Sequence, residues 1–379
     1  MDNSFLNKIV VGNGFDLASG CKTSYKDFFA SPFFPSKKIK DYIDNLFSPL
    51  IGVRRLSLYK SESGINVWSL LFYLSSNDLK TKTLNTQEKL NIQWCDIEEI
   101  MRLSFQKEIH SSSIGLPVPV WSKVFKLDDE NKKENIEWPL AVYMKVYYPE
   151  VNELNFYSFL LNQLKAFEEN FGKFIDEQTN GRNMDKVKSL LFSLHCVKTN
   201  GIDELSIDSF NYSNLGPHIF HINGDSSNPI FGIDSKGIET TDPAFPFTKT
   251  FQRLEQLEKS KREIVPFNNL VVYGHSLNEQ DFNYFFPILD YLDVFNMNSK
   301  SLIIFAYTNY VLDGKTKEES QKIEMSKLCS GIAGLFAAYE DYKHSSNEHR
   351  LLDSLSYQRR VKIVNIGDNS ELFMNSFQI

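Results

Sequence analysis

Residues 5–20 read F-L-N-K-I-V-V-G-N-G-F-D-L-A-S-G. Phe5–Val11 is apolar and rich in β-branched residues and stops at Gly12, the pattern of a short strand buried on both faces. Gly12-Asn13-Gly14 turns the chain, and a helix is expected to follow. Strand, glycine turn and helix in that order open a doubly wound α/β unit. Glycines let such a turn approach a ligand closely, and the helix start offers N–H groups to phosphate, which makes Gly12, Asn13, Gly14 and Phe15 candidate nucleotide contacts. The same turn also serves as a plain tight connection. The dinucleotide fingerprint G-x-G-x-x-G is incomplete, because Leu17 stands where its third glycine belongs.

Working outward, residues from about 32 to 200 change character. Apolar residues recur at helical spacing, as in Trp68, Leu71, Phe72 and in Phe159, Leu160, Leu164, Phe167, Phe171, Phe174, with few strand signals. Strands return after Asn200. Leu205–Tyr212, His218–Asn223, Leu270–Tyr273, Ser301–Tyr307 and Arg360–Ile366 read as strands, with helical stretches between the later ones. His218–Asn223 and Ile230–Ile233 flank G-D-S-S-N-P, which predicts a hairpin. The expected fold is α/β: a discontinuous Rossmann-like, mostly parallel sheet with a large helical insertion. Residues 1–31 and 201–379 form the core in this reading, and residues 32–200 the mainly helical insertion.

Length and composition agree. A chain of 379 residues is long enough for two units, and 42% hydrophobic with 23% charged residues excludes a wholly disordered chain. The 41 basic and 48 acidic side chains leave a net charge of −7, which does not favour nucleic acid as a partner. A membrane span needs about 18 or more consecutive apolar residues, and runs such as Ile332–Tyr339 and Leu302–Tyr307 are far shorter. No secretory signal opens the chain and the four cysteines are scattered, so a cytoplasmic protein with free thiols and no membrane partner is expected. Walker A, H-E-x-x-H and paired C-x-x-C patterns are absent, and no metal is expected.

Four further stretches carry chemistry. Ser209-Phe-Asn-Tyr212 places Asn211 at a strand end, where an amide can hold a ribose hydroxyl or a water, or simply begin a turn. In His218–Asp225, strand alternation puts His221 and Asn223 on one face, as a polar site or as satisfied structural residues. Tyr273–Asp281 (Y-G-H-S-L-N-E-Q-D) sets Gly274, His275 and Ser276 at the carboxyl end of a strand, where open α/β sheets bind ligands, with Glu279 and Asp281 completing the candidate set. Ser276-Leu-Asn-Glu279 is also a capping-box pattern, and strand–G-H-S–helix approaches the nucleophile elbow of α/β-hydrolases, although Asn278 occupies the position of its second glycine. Asp96, Glu98 and Glu99 lie on one helical stretch, as a solvated acidic face or a metal-dependent nuclease site.

These blocks in their order resemble the bacterial AbiH proteins of phage abortive infection. K-I-V-V-G-N-G-F-D-L-A-S-G is followed by T-S-Y-K-D-F (Thr23–Phe28), W-C-D-I-E-E (Trp94–Glu99), S-F-N-Y-S-N-L, H-I-N-G, I-F-G-I-D and Y-G-H-S-L-N-E-Q-D. AbiH in turn looks distantly similar to the sirtuin-like, Rossmann-type fold that binds NAD. That resemblance implies a cleft for NAD or a related nucleotide. Gly12-Asn13-Gly14 would receive the pyrophosphate, Asn211 would lie near the nicotinamide ribose, and Gly274-His275-Ser276 would contact the other ribose. It also implies an NAD glycohydrolase, with Asn211 orienting ribose or water, His221 as general base and Asp16 stabilising developing positive charge. The sirtuin-like catalytic histidine directly precedes a glycine, and that position here is Asn223. The zinc-binding cysteines of the deacetylases are missing, so deacetylation is not expected. The alternatives are a non-catalytic nucleotide-gated sensor and a serine hydrolase using Ser276. Expected partners are a small nucleotide, a phage-derived trigger protein and further copies of the chain.

Overall fold

The computed structural model describes residues 7–48, 64–76, 97–105, 121, 124, 137–181, 190, 206–214, 219–235, 237–257, 266–308, 314–344 and 350–366. One compact unit is assembled from Met1–Thr23, Gln178–Asp225 and Ser260–Ile379, and a second from Ser24–Glu177 and Ser226–Lys259. The strands are β1 (Asn7–Val11), β2 (Ser206–Ser209), β3 (Ile219–His221), β4 (Asn269–Tyr273), β5 (Leu302–Tyr307) and β6 (Val361–Asn365). The helices are α1 (Asn13–Ala18), α2 (Tyr25–Ala30), α3 (Ser36–Phe47), α4 (Val67–Ser76), α5 (Ile97–Phe105), α6 (Glu137–Tyr147), α7 (Phe156–Thr179), α8 (Lys249–Leu257), α9 (Phe282–Tyr291), α10 (Lys317–Tyr342) and α11 (Leu351–Tyr357).

All six strands belong to the first unit. They lie in the order β3-β2-β1-β4-β5-β6, each pair of neighbours parallel, which is the doubly wound Rossmann order. Parallel strands are covered on both faces, and β1 and β4 are buried along their whole length for that reason. On one face Val10, Leu270, Val272, Ile303 and Phe305 pack with Phe285 and Leu289 of α9, Leu335 and Phe336 of α10 and Leu355 of α11. On the other, Ile9, Val11, Ile207, Val271, Tyr273 and Ile304 pack with Phe15 of α1. Each Leu or Phe so buried contributes about 1.5–3 kcal/mol over an exposed one. Lys8, an unlikely residue for a central strand, is buried against Asp208 of β2 with Nζ 2.5 Å from Oδ2, and the Tyr284 hydroxyl donates to the same carboxylate oxygen.

The second unit is helical and aromatic. α7 buries Phe156, Leu160, Leu164, Phe167, Phe171 and Phe174 at three- and four-residue spacing, and Phe28 of α2 packs against three of these rings. α2 begins with a capping box between Ser24 and Asp27. Gly172 faces Ser226 so closely that a Cβ there would stand 2.1 Å from its carbonyl oxygen. Ile230–Ile233 contributes one bridge, Ile233 to Thr248, and β3 pairs in parallel with β2. The predicted hairpin is therefore not formed; the polar G-D-S-S-N-P segment carries the chain out of the sheet. Among the described residues no helix is long and apolar enough to cross a membrane.

One buried acid stands out in the helical unit. Glu168 Oε1 accepts from the Phe231 N–H at 2.8 Å, and Lys165 Nζ lies 3.0 Å from Oε2. Burial pushes the Glu168 carboxyl up to about 7 despite the lysine. Glu98 is paired with Lys249 at 2.9 Å and Glu99 with Arg102, while Asp96 lies outside the described residues. The two described members of the acidic stretch thus serve as partners of cations on their own unit.

Candidate functional site

In a sheet of this order the direction of winding reverses between β1 and β4, and ligands bind at the carboxyl ends beside that point. Val11 and Tyr273 are register partners there, and the chain leaves each strand through glycine. The two glycine turns lock onto each other. The Gly12 N–H donates to the Tyr273 carbonyl and the Gly14 N–H to the Gly274 carbonyl, both at 2.9 Å. A Cβ on Gly14 would stand 2.7 Å from Gly274 Cα, one on Gly274 2.7 Å from Gly14 Cα, and one on Gly12 2.6 Å from His275 Cα. Gly274 also has φ +64°, so both its conformation and its neighbours require glycine. Asn13 accepts from Thr23 Oγ1 at 2.8 Å, and Phe15 is fully buried with its ring edge-on to Tyr273.

Next to this lock, β2 runs into Phe210-Asn211-Tyr212-Ser213. The Phe210 N–H donates to the Val11 carbonyl at 2.9 Å, continuing the ladder one step past the strands. The Asn211 backbone is held from both sides: its N–H donates to Ser209 Oγ at 3.0 Å, and its carbonyl accepts from His221 Nδ1 at 2.9 Å. Its side chain is only 3% exposed, yet neither Nδ2 nor Oδ1 has a hydrogen-bond partner among the described residues. Leaving such a group unmatched costs about 1–3 kcal/mol. Because a carbonyl can only accept, His221 Nδ1 carries the proton in the neutral ring and Nε2 keeps its lone pair, the arrangement of a general base. Asp16, buried in α1, accepts from Ser213 Oγ at 2.7 Å, two residues beyond Asn211.

The loop after β4 is organised by His275. Nδ1 accepts the Leu277 N–H at 2.9 Å, so Nε2 carries the proton, and it lies 3.5 Å from Asp281 Oδ2. The ring sits edge-on to Phe210, centroids 4.2 Å apart, and against Phe285. Leu277 is held at φ +52°. Ser276 and Glu279 are exposed, and the expected capping box does not form: a 3-10 turn, Glu279–Asp281, intervenes, its N-cap is Asn278, and no side chain caps it. α9 begins only at Phe282, so Ser276 is not at a strand-to-helix elbow, and both nitrogens of its neighbour His275 are engaged elsewhere.

Hydrogen bonds and close contacts thus join Gly12, Gly14, Gly274 and His275 in one cluster and Asn211 and His221 in another, with Phe210 between them and Asp16 bonded to Ser213, two residues beyond Asn211. Asn223 is buried just beyond β3, which ends at His221, so the strand alternation used to pair these two residues does not extend to it. Sequence reading missed Ser209 and Ser213, which fix Asn211 and Asp16. Their only signal was position within S-F-N-Y-S, and no spacing rule connects Ser213 to a residue 197 positions away.

A family model described as "Bacteriophage abortive infection AbiH" matches residues 9–305, which include the whole carboxyl-end cluster. No curated protein matches the chain. No solved structure matches it. Matched over most of its length, from β1 into β5, the chain belongs to the bacteriophage abortive infection AbiH family.

Proposed function

We propose that this protein acts in phage abortive infection by taking NAD, or a related nucleotide, at the carboxyl ends of β1–β4 and hydrolysing its N-glycosidic bond. The observation that carries the reading is Asn211: a buried amide with both ends unmatched among the described residues, fixed by its backbone at the place where open parallel sheets bind ligands. Family membership supports the defence role, and the sheet order supports a nucleotide over other ligands. The breaking bond is the one between ribose C1′ and the nicotinamide nitrogen. Nicotinamide leaves with the electron pair, and water adds to C1′ through an oxocarbenium-like transition state. Asn211 orients the ribose, His221 Nε2 takes the water's proton, and Asp16 offsets the positive charge that develops on the sugar.

The test is chromatographic product analysis after incubation with NAD, with and without lysate from phage-infected cells. Nicotinamide release that falls by about a hundredfold in Asn211→Ala is the expected result, the scale of misplacing a bound substrate by about 1 Å. Equal release by the variant, or none under either condition, overturns hydrolysis at this site. Shielding of the Asn211 amide from solvent favours one second reading, a nucleotide-gated sensor. Tight NAD binding with no product in infected lysate identifies it.

A further inference from the structure

The glycine turn after β1 has the sequence of a phosphate cradle, but three of the four N–H donors from Gly12 to Phe15 are already taken. The N–H groups of Gly12, Gly14 and Phe15 donate to the carbonyls of Tyr273, Gly274 and Gly12, each at 2.9 Å. The Gly274-His275 backbone fills the space that the absent Cβ atoms leave, at 2.6–2.7 Å. The first turn of α1 then carries Asp16, an acid that is 1% exposed and would repel an anion. Three amides spent on carbonyls and one buried acid make a poor seat for a pyrophosphate. Asn211 offers the opposite chemistry: a neutral group with donor and acceptor both idle among the described residues. Phosphate oxygens only accept and would satisfy half of it. A vicinal ribose diol, which both donates and accepts, satisfies all of it. Asp16, tied through Ser213 to the same segment, suits a cationic base on that ribose.

We infer that this end of the sheet is a phosphate-independent nucleoside subsite, preferring a ribosylated cationic heterocycle, and that the glycines are there to close two loops on each other. The inference rests on the nucleotide reading above and departs from it in what is recognised. It is tested by calorimetric titration of the full chain with NAD, with nicotinamide riboside and with inorganic pyrophosphate. The riboside is expected to bind within about tenfold of NAD, a difference of about 1.4 kcal/mol, and millimolar pyrophosphate to displace neither. Asn211→Ala and the acceptor-only Asn211→Asp should each weaken both ligands by about tenfold or more, while their melting curves report that the fold is intact. NAD binding with a riboside more than about tenfold weaker, or displacement by pyrophosphate, overturns the phosphate-independent subsite and leaves the nucleotide reading standing. If neither NAD nor the riboside binds, both fall.

Discussion

Asn211 and Glu168 are each buried with unfinished chemistry, and they predict opposite kinds of experiment. Asn211→Ala removes no hydrogen bond among the described residues, so thermal or urea denaturation should place its stability within about 1 kcal/mol of wild type, or above it. A large loss would mean the amide has a structural partner. Glu168 is protonated in the fold up to about pH 7 and in the unfolded chain only up to about its ordinary value of 4.5. Between those values the folded state holds more protons, so stability falls as pH rises through the window and levels off above it. The drop should be on the order of 3 kcal/mol. Glu168→Gln keeps the acceptor for Phe231, and its denaturation midpoint should be flatter across the window and higher than wild type at about pH 8. At this scale the sequence was a mixed guide. Glycine at 12, 14 and 274 was legible as a backbone requirement. Whether the space so created would face a ligand or another loop was not, since that depends on a partner 260 positions along the chain, a distance comparable with the 262 separating Asn7 and Asn269.

At the scale of elements, the two turns behave as one part. Gly274→Ala combines a left-handed φ with contacts of 2.7–2.8 Å to Gly14 and Phe15, and should cost about 2–5 kcal/mol. Gly20→Ala is the control: φ is +91°, nothing lies within 4 Å, and only the conformational cost of about 1–2 kcal/mol should appear. Equal midpoint shifts in the two variants would show that the interlock contributes nothing. Strands and helices were legible where one periodicity dominated, as in β4, β5 and α7. The misreadings had a common cause, which is local signals that tertiary pairing overrode. Ser276–Glu279 matches a capping box, but His275 binds the Leu277 N–H and turns the backbone away from helix. Gly224–Pro229 matches a hairpin loop, but β3 finds its partner in β2 by a parallel crossover.

For the molecule as a whole, the sheet depends on segments far apart in the chain, while the helical unit holds the described tryptophans Trp68, Trp121 and Trp138. Local contacts form early and distant pairings late. In refolding followed by stopped flow, tryptophan fluorescence should therefore recover before the far-ultraviolet signal of the sheet is complete. Coincident single-exponential traces would contradict this. The discontinuous core was legible because strand signals recur only at both ends of the chain. Which strands are neighbours was not, because the order β3-β2-β1-β4-β5-β6 is fixed by how buried faces and crossovers pack.

The central position of β1 has a consequence during synthesis. Its neighbours β2 and β4 lie roughly 200 and 260 residues downstream, so at about 5–20 residues per second the ribosome needs about 10–50 s after making β1 to supply both. Until then neither glycine turn has its counterpart, and Asp16 and Ser213 are not joined. A nascent chain therefore carries no assembled site. In the proposed reading, where this end of the sheet is the working site, that order of assembly leaves an unfinished copy inactive.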